Sequence, residues 1–297
     1  MSASTTTAAN LVQPRASRGL WGDAARRLVR NGPALIGLTL IALFVLAAIL
    51  APIIAPYEPL QRDGSQVFKP PSAAHLMGTD RQARDVFSRI LFGAQISLLV
   101  GVVSVIMGVA MGGTVGAIAG AFGGRVDAVL MRMVDVLLAI PGILLAIGIV
   151  VWLDRGLIQI MFAVAATNAP IFARILRGSM LALRESDYVT AARSMGASTG
   201  RLLLRHMLPN ALTPIIVAST LALATAIIDV AGLGFLGLGP PDPRIAEWGT
   251  MLTGATSFYR QAPWIIVFTG AAISISAIGF NLLGDGLRES LDPRLKR

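Results

Sequence analysis

The sequence predicts an all-α membrane protein with six transmembrane helices, and three observations carry that prediction. Of its 297 residues 55% are hydrophobic and only 14% are charged, against roughly a quarter charged in an ordinary soluble domain, and the mean hydropathy is +0.71. A soluble chain of this size could not cover so much apolar surface. The apolar residues fall into runs of about 20, the length that crosses a ~30 Å hydrocarbon core as a helix. Finally, with the N-terminus inside, the inside segments (1–32, 120–132, 174–210, 285–297) hold 17 Lys and Arg and the outside segments (56–92, 153–156, 231–262) hold 8, the bias that orients membrane helices.

Residues 1 to about 20 are Ser, Thr, Ala and Arg with almost nothing to bury, and read as a disordered cytoplasmic tail. Gly22–Asn31 follows as a short basic interfacial helix, completing an inner tail of residues 1–32. The first span, residues 33–55, has 23 residues without a charge, too long for the core of a cleaved signal peptide. An external loop covers 56–92. A core domain of five further spans occupies 93–284, with apolar runs at Ile96–Ala119, Leu130–Trp152, Leu157–Phe172, Leu212–Val230 and Trp264–Leu283. The fourth run has 16 residues and must be extended through Ala173–Leu176 to cross. Residues 285–297 form a cytoplasmic C-terminal tail. Trp152, Trp248 and Trp264 fall at the outer ends of spans and Trp21 at the inner end of the first, where an indole sits well at the interface. The second run carries Gly108, Gly112, Gly116 and Gly120 along one helix face, a surface for close helix packing within the bundle or against a partner subunit.

Composition also excludes function classes. Cys is absent and the two His residues, His75 and His206, lie far apart in the chain, so no thiolate nucleophile, disulfide or His-rich metal site can be built. The formal net charge of +9 is not a nucleic-acid footprint, because the basic excess is almost wholly on the inner side, facing lipid and cytoplasm. Gly232-x-Gly234-x-x-Gly237 matches the dinucleotide-binding pattern literally, but a preceding strand and a following helix with its acidic residue are missing around it. No Walker A sequence is present.

The most informative stretch is the inner loop at about 184–209. Asp187 is positioned to cap a short helix through Val189, Ala191, Ala192 and Met195, and Gly196 to end it in the left-handed conformation. A second amphipathic piece, Thr199–Leu208, leads to Pro209 in the first turn of the next span, where proline's missing donor does no harm. Physics alone leaves this either a solvated connection or a small-faced helix on a rigid mount. Thr190-Ala-Ala-Arg-Ser-Met-Gly196, followed after nine intervening residues by His206-Met-Leu-Pro209, resembles the EAA loop of inner-membrane permease subunits of bacterial ABC importers. Thr190 stands where Glu is usual in that loop and His206 where Ile is usual, departures similar to those of the peptide and nickel branch, whose loops often read as Asp187-Tyr188-Val through Arg193 does here.

Four more stretches extend the resemblance to the C-type permease subunit of dipeptide and oligopeptide transporters. They are His75-Leu-Met-Gly78-Thr-Asp80 with Arg84-Asp85 and Ser88-Arg89; Gly123-Gly-Arg-Val-Asp127 with Met131-Arg132 and Asp135; Gly232 through Gly239 to Glu247-Trp-Gly-Thr-Met-Leu252; and Phe280 through Arg288 with Leu291-Asp-Pro-Arg294. Ala83 and Gln95 replace the Gly and Arg usual in the first of these. The resemblance implies a type I ABC importer permease fold in which the inner loop is a coupling helix docked on a cytoplasmic ATPase. Asp187, Tyr188, Thr190, Ala191, Ala192, Arg193, Gly196 and Pro209 then carry coupling, and Gly78, Asp80, Arg84 and Asp85 form an external signature. It also implies a homologous B-type permease completing a heterodimeric pore, two ATPase chains using ATP and Mg, an external substrate-binding protein, no catalytic residue, metal or cofactor in this chain, and a multi-pass location in a bacterial inner membrane with both termini cytoplasmic. The nearest alternatives keep the architecture and change the cargo to nickel, glutathione or oligosaccharide. A secondary transporter would need internal repeats, and no convincing repeat is present.

Three charged residues inside or beside spans are pathway or gate candidates. A mid-membrane carboxylate costs about 2.5–3.5 kcal/mol on insertion scales, so Asp135 must face the bundle or water, and Arg132 one turn away is its expected partner. Asp229, near the outer end of the fifth span, either reaches water or lines the pathway and meets a peptide amino group. His206 and His75 read as structural residues of their turns.

Overall fold

The computed structural model describes residues 20–62, 64, 66–242 and 244–291. The expected disordered tail up to residue 19 and the end of the C-terminal signature from residue 292 lie outside the described residues. In chain order the helices are α1 (Leu20–Leu28), α2 (Gly32–Ile54), α3 (Val86–Phe122), α4 (Gly124–Ala139), α5 (Gly142–Leu153), α6 (Leu157–Arg184), α7 (Asp187–Ser194), α8 (Thr199–Arg201), α9 (Leu208–Leu233), α10 (Trp248–Thr256) and α11 (Pro263–Leu291). Two π-helical turns, Leu202–Met207 and Gly234–Leu238, bracket α9. Among the described residues five helices are long and apolar enough to cross a membrane, and the bent pair α4–α5 makes a sixth crossing if it is one span.

The first crossing is anchored at both ends by polar groups that lipid cannot replace. Asn31 caps α2 by accepting from the Ala34 amide at 3.0 Å, and its Nδ2 donates to Glu289 at 2.6 Å, tying the start of α2 to the last turns of α11. Pro52 lies inside α2 and cannot donate to the carbonyl of Ala48. Gln95 Nε2 from α3 donates to that carbonyl at 2.7 Å, so an orphaned acceptor in apolar surroundings is satisfied by a neighbouring helix. Gln95, which departs from the resembled signature, therefore has a local task.

Next, α3 begins at Val86, ten residues before the expected start, because Asp85 caps it through the Ser88 amide at 2.7 Å and Arg89 is buried rather than solvated. The glycine stripe predicted to be a packing face is one. Gly108, Gly112 and Gly116 lie against Ala165, Ala169 and Ala173 of α6, and Gly120 against Arg177 and Met180. Each step of four on α3 matches a step of four on α6, so the helices run parallel in fixed register. A Cβ at Gly112 or Gly116 would overlap the facing backbone carbonyl. The stripe is thus filled within the chain and is not a surface for a partner subunit.

The third expected span, Leu130–Trp152, is not one straight helix. Pro141 lacks an amide hydrogen and pushes Ile140 out of helical geometry, and α4 and α5 meet at 94°. The fourth expected span proves longer than its apolar run, reaching Arg184 as α6. Between α9 and α11 the helix α10 forms where only a loop was expected, with Trp248 fully buried and its Nε1 donating to the Ile90 carbonyl at 3.1 Å. Trp248 is therefore a core residue and not an interfacial anchor. By contrast Trp152 is 83% exposed, and nothing is described of the Trp21 side chain.

Two apolar cores result. One gathers α3, α5, α6, α7 and the inner and outer ends of α9; the other gathers the outer half of α3 with α9, α10 and α11. Both share α3 and α9, which makes these two helices the spine of the molecule.

Substituting Gly112→Ala should lower the stability of the detergent-solubilised chain by about 1–3 kcal/mol, the usual penalty for overpacking. Gly178→Ala on α6, where an added Cβ meets nothing within 4 Å, should be neutral or stabilising by up to about 1 kcal/mol. Thermal unfolding of the two variants side by side checks the contrast.

Candidate functional site

Apart from Asp229 within α9, the side chains singled out in the sequence lie in the inner loop 184–209, on α4, and in the outer segment 75–89. At the inner end of α9 the loop 184–209 is built as a short helix strapped to the start of that span. Ser186, not Asp187, occupies the N-cap position of α7; Asp187 is its first helical residue and is exposed. The extended backbone needed at a cap falls one residue earlier than expected, and the Asp187 carboxylate instead sits favourably in the first turn. Gly196 ends the helix with φ of 84°, donating its amide to the Arg193 carbonyl at 2.9 Å, as its expected left-handed role requires.

The orientation of α7 follows from its period. Val189 and Ala192, three apart, are buried against the core that contains Leu202 and Met207. Ala192 is therefore not on a docking face, contrary to the expectation that it would share one with Ala191 and Gly196. The outward surface consists of Tyr188, Thr190, Ala191, Arg193 and Ser194, with Met195 83% exposed just beyond the helix.

Tyr188 fixes this helix to the next. Its hydroxyl donates to the His206 carbonyl at 3.2 Å and accepts from Asn210 Nδ2 at 3.2 Å, while Asn210 Nδ2 also donates to the same carbonyl at 2.8 Å. His206 lies in the π turn that precedes Pro209. Proline cannot donate to the carbonyl of Arg205, and the helix accommodates the gap by widening, with the Leu208 amide reaching back to Leu203. Pro209 thus stands in the first turn of α9 as expected, and His206 contributes through its backbone.

The inner halves of α4 and α6 carry two ion pairs. Arg177 forks onto the Asp127 carboxylate through Nε and Nη2, and Arg174 Nη2 meets Asp135 Oδ1 at 2.6 Å. The expected Arg132–Asp135 pair is not formed. Arg132 is exposed beside Val129, Met133 and Val136. The cross-helix guanidinium is available because α4 and α6 run in opposite directions, so the earlier acid meets the later arginine. Asp229 is half-buried on α9 and has no hydrogen-bond or ion-pair partner among the described residues.

At the outer end the external signature residues form a folded knot. Asp80 accepts from Arg84 Nε at 2.7 Å, Arg89 lies 3.7 Å from the same carboxylate, and His75 Nδ1 meets Asp85 Oδ1 at 2.9 Å while its ring packs on Tyr57. Gly78 adopts φ of 74° against Trp264, whose Nε1 donates to the Thr79 carbonyl at 3.2 Å. A cavity of about 200 Å³ separates this knot from α10, with Asp80, Arg89, Asp242, Thr250 and Met251 among its walls.

Glu247 was not among the residues expected to matter. It caps α10, accepting from the Gly249 and Thr250 amides at 2.7 and 2.8 Å, and is fully buried against Gly234, where a Cβ would lie 2.6 Å from its Oε2. Thr253 Oγ1 donates to the Gly234 carbonyl at 2.7 Å. Together these contacts fasten α10 to the outer π turn of α9. Burial pushes the Glu247 carboxyl up to about 7, against the opposing pull of its two amide donors. The signal in the sequence was an acidic residue immediately before Trp-Gly-Thr, a capping pattern hidden by an outer segment rich in Gly and Pro.

Comparison with known proteins agrees with this architecture. The family model described as the binding-protein-dependent transport system inner membrane component matches residues 112–297, and that of the N-terminal TM domain of oligopeptide transport permease C matches residues 19–71. The chain is 43% identical over 276 residues to a dipeptide transport system permease protein of Alkalihalophilus pseudofirmus, covering 93% of this chain and 90% of that one. It is 46% identical over 289 residues to a glutathione transport system permease protein of Shigella flexneri, covering 96% and 94%. Among solved structures, a methionine ABC transporter in an inward-facing conformation superposes with a TM-score of 0.54 at 21% identity, over 69% of this chain and 96% of that one; at that identity the likeness is one of fold.

The raised Glu247 carboxyl sets a pH dependence. An unfolded Glu titrates near 4.5 and the folded one near 7, so between those values the folded state holds the extra proton. The contribution of Glu247 to stability should be greatest below about pH 4.5, fall as pH rises toward 7 and level off above it. Glu247→Gln should flatten that slope, as read by thermal unfolding across the same pH window.

Proposed function

Because the chain belongs to the family of binding-protein-dependent transport system inner membrane components, we propose that it forms half of the translocation pore of an ATP-driven importer of dipeptides or oligopeptides. The other half is a homologous B-type permease. Two cytoplasmic ATPases use ATP and Mg, an external binding protein delivers the peptide, and this chain binds no cofactor and performs no catalysis itself. It resides in a bacterial inner membrane with both termini in the cytoplasm, as the excess of inner Lys and Arg favours. Glutathione, itself a small peptide, is a second cargo supported by the similarity to a glutathione permease.

The observation that carries the coupling role is the strapping of α7 to α9 through Tyr188, His206 and Asn210. A helix held so firmly moves with the span it is tied to. ATP binding closes the ATPases and draws the coupling helices of the two permeases together, and α9 carries that displacement outward. At its far end Gly234 is bonded to Thr253, so α10 and the outer knot respond. Asp229 lies on α9 between these ends and is the carboxylate that meets a peptide ammonium group. Residues 93–284 act as the core permease domain, α1 attaches to it through α11, and α2 attaches through α11 and α3.

Because Ala191 faces outward and Ala192 inward, bulk at the two positions separates docking from folding. Ala191→Trp should reduce peptide uptake and substrate-stimulated ATP hydrolysis by about tenfold or more, the effect of losing ~1.4 kcal/mol, while membrane insertion stays normal. Uptake at the unsubstituted rate with the ATPases bound would contradict the coupling role.

A further inference from the structure

Beside α7 lies a second cavity of about 200 Å³, walled by Phe122 at the end of α3, Arg184 at the end of α6, Arg193 on α7, and Leu202 and Met207 of the inner π turn. Two guanidinium groups thus line one space. Neither has a hydrogen bond or an ion pair among the described residues. The other arginines of α6 are treated differently, since Arg174 and Arg177 each hold a carboxylate of α4. Glu185 and Asp187, the acids closest in sequence, are exposed and make no ion pair with Arg184 or Arg193. An anion placed in that space would meet two guanidinium groups at once, each able to make a charge-assisted hydrogen bond.

The backbone leaves room for Arg184 in this position. Gly123 turns the chain from α3 to α4 with φ of 65°, and a Cβ there would lie 2.5 Å from Arg184 Nη1. Only glycine both adopts that turn and leaves room for the guanidinium. The cavity walls are mixed, arginine on one side and Phe122, Leu202 and Met207 on the other. That suits a carboxylate carried on an aliphatic stem better than a bare inorganic ion.

We propose that this cavity is the seat of an acidic side chain, Asp or Glu, of the cytoplasmic ATPase, so that Arg184 and Arg193 clamp the partner beside the coupling helix. The proposal rests on the coupling role of α7 and names the chemistry of its partner. A protein carboxylate is favoured over a lipid phosphate by continuity: one wall of the cavity is α7 itself, and the same loop exposes Tyr188 and Met195. Aromatic and Met side chains together with Arg make up the composition of a protein interface. The seat also explains mechanically why α7 would follow the ATPase when it moves, since Arg184 belongs to α6 and Arg193 to α7, and a shared anion would load both helices at once.

The test uses the assembled permease pair in nanodiscs of neutral lipid and measures the affinity of the purified ATPase chains. Arg193→Gln and Arg184→Gln should each weaken binding by about tenfold, the loss of one charge-assisted contact, and flatten its salt dependence. Arg201→Gln, an exposed arginine outside the cavity, should leave both unchanged, and Arg193→Lys should restore part of the loss. Should Arg184→Gln disturb folding, Arg193→Gln stands alone, because Arg193 is exposed on α7. Unchanged affinity in both Gln variants would overturn the proposal. So would a loss that appears only when anionic lipid is present, which would make the cavity a headgroup site. Failure of the unsubstituted pair to bind any ATPase would overturn the coupling role itself, a result distinguishable from a pair that binds but ignores the arginines.

Discussion

The register between α3 and α6 is the constraint on which the rest of the molecule depends. Lipid supplies no hydrophobic drive between helices, so association rests on van der Waals contact and on the few polar bonds that lipid cannot replace. Glycines at every fourth position of α3 let its backbone approach the alanine face of α6 as closely as two helices allow. Once that seam is closed, the sites at both ends inherit fixed positions. Arg174 and Arg177 are presented to α4, Arg184 is set against the Gly123 turn, and the outer half of α3 receives Trp248 and α10. A seam this tight has one register, and the inner and outer ends cannot slide independently along it.

Around this rigid pair the backbone is broken in a small number of places, at prolines and at the two π turns. Pro52 frees a carbonyl that Gln95 takes up, Pro209 is preceded by a π turn whose His206 carbonyl receives Tyr188 and Asn210, and Pro141 divides the third crossing. The outer π turn of α9 is held by Thr253, with Glu247 packed against it. Irregular backbone inside a membrane protein is tolerated where neighbouring groups satisfy it, and here those groups also link one helix to the next. The side-chain hydrogen bonds found at these breaks join α2 to α3, α7 to α9 and α9 to α10.

Much of this was legible in the sequence because lipid imposes strict demands on composition. Apolar length identified the crossings, the glycine period identified a packing face, and Gly196 announced the end of α7. Boundaries were less legible: hydropathy averages over Pro141 and hides a 94° bend, and it starts the second crossing at Ile96 although α3 begins at Val86 and Arg89 is buried within it. Pairing across helices was not legible, since Asp135 has Arg132 one turn away in sequence and Arg174 beside it in space. The inward direction of Ala192 was available from its spacing with Val189. It was overlooked because small residues suit either a core or a docking face, and the resemblance drew attention to the second. Glu247 and Trp248 were misjudged for a related reason, since a Gly- and Pro-rich outer segment reads as loop until the short helix it contains is seen packed.

The central claim is that α7, strapped to α9 and packed into the core that α9 shares with α3 and α6, moves as one body with that core when the ATPases close. Cys is absent from the chain, so spin labels can be placed on introduced cysteines without background from it. Exposed Ser194 on α7 and Thr114 on α3 are suitable positions, with a further label on the partner permease's coupling helix. Pulsed electron resonance on the reconstituted importer should give the same Ser194-to-Thr114 distance with and without trapped ATP, while the distance from Ser194 to the partner's coupling helix shortens. A changing distance within this chain together with a constant one between the two permeases would contradict the claim.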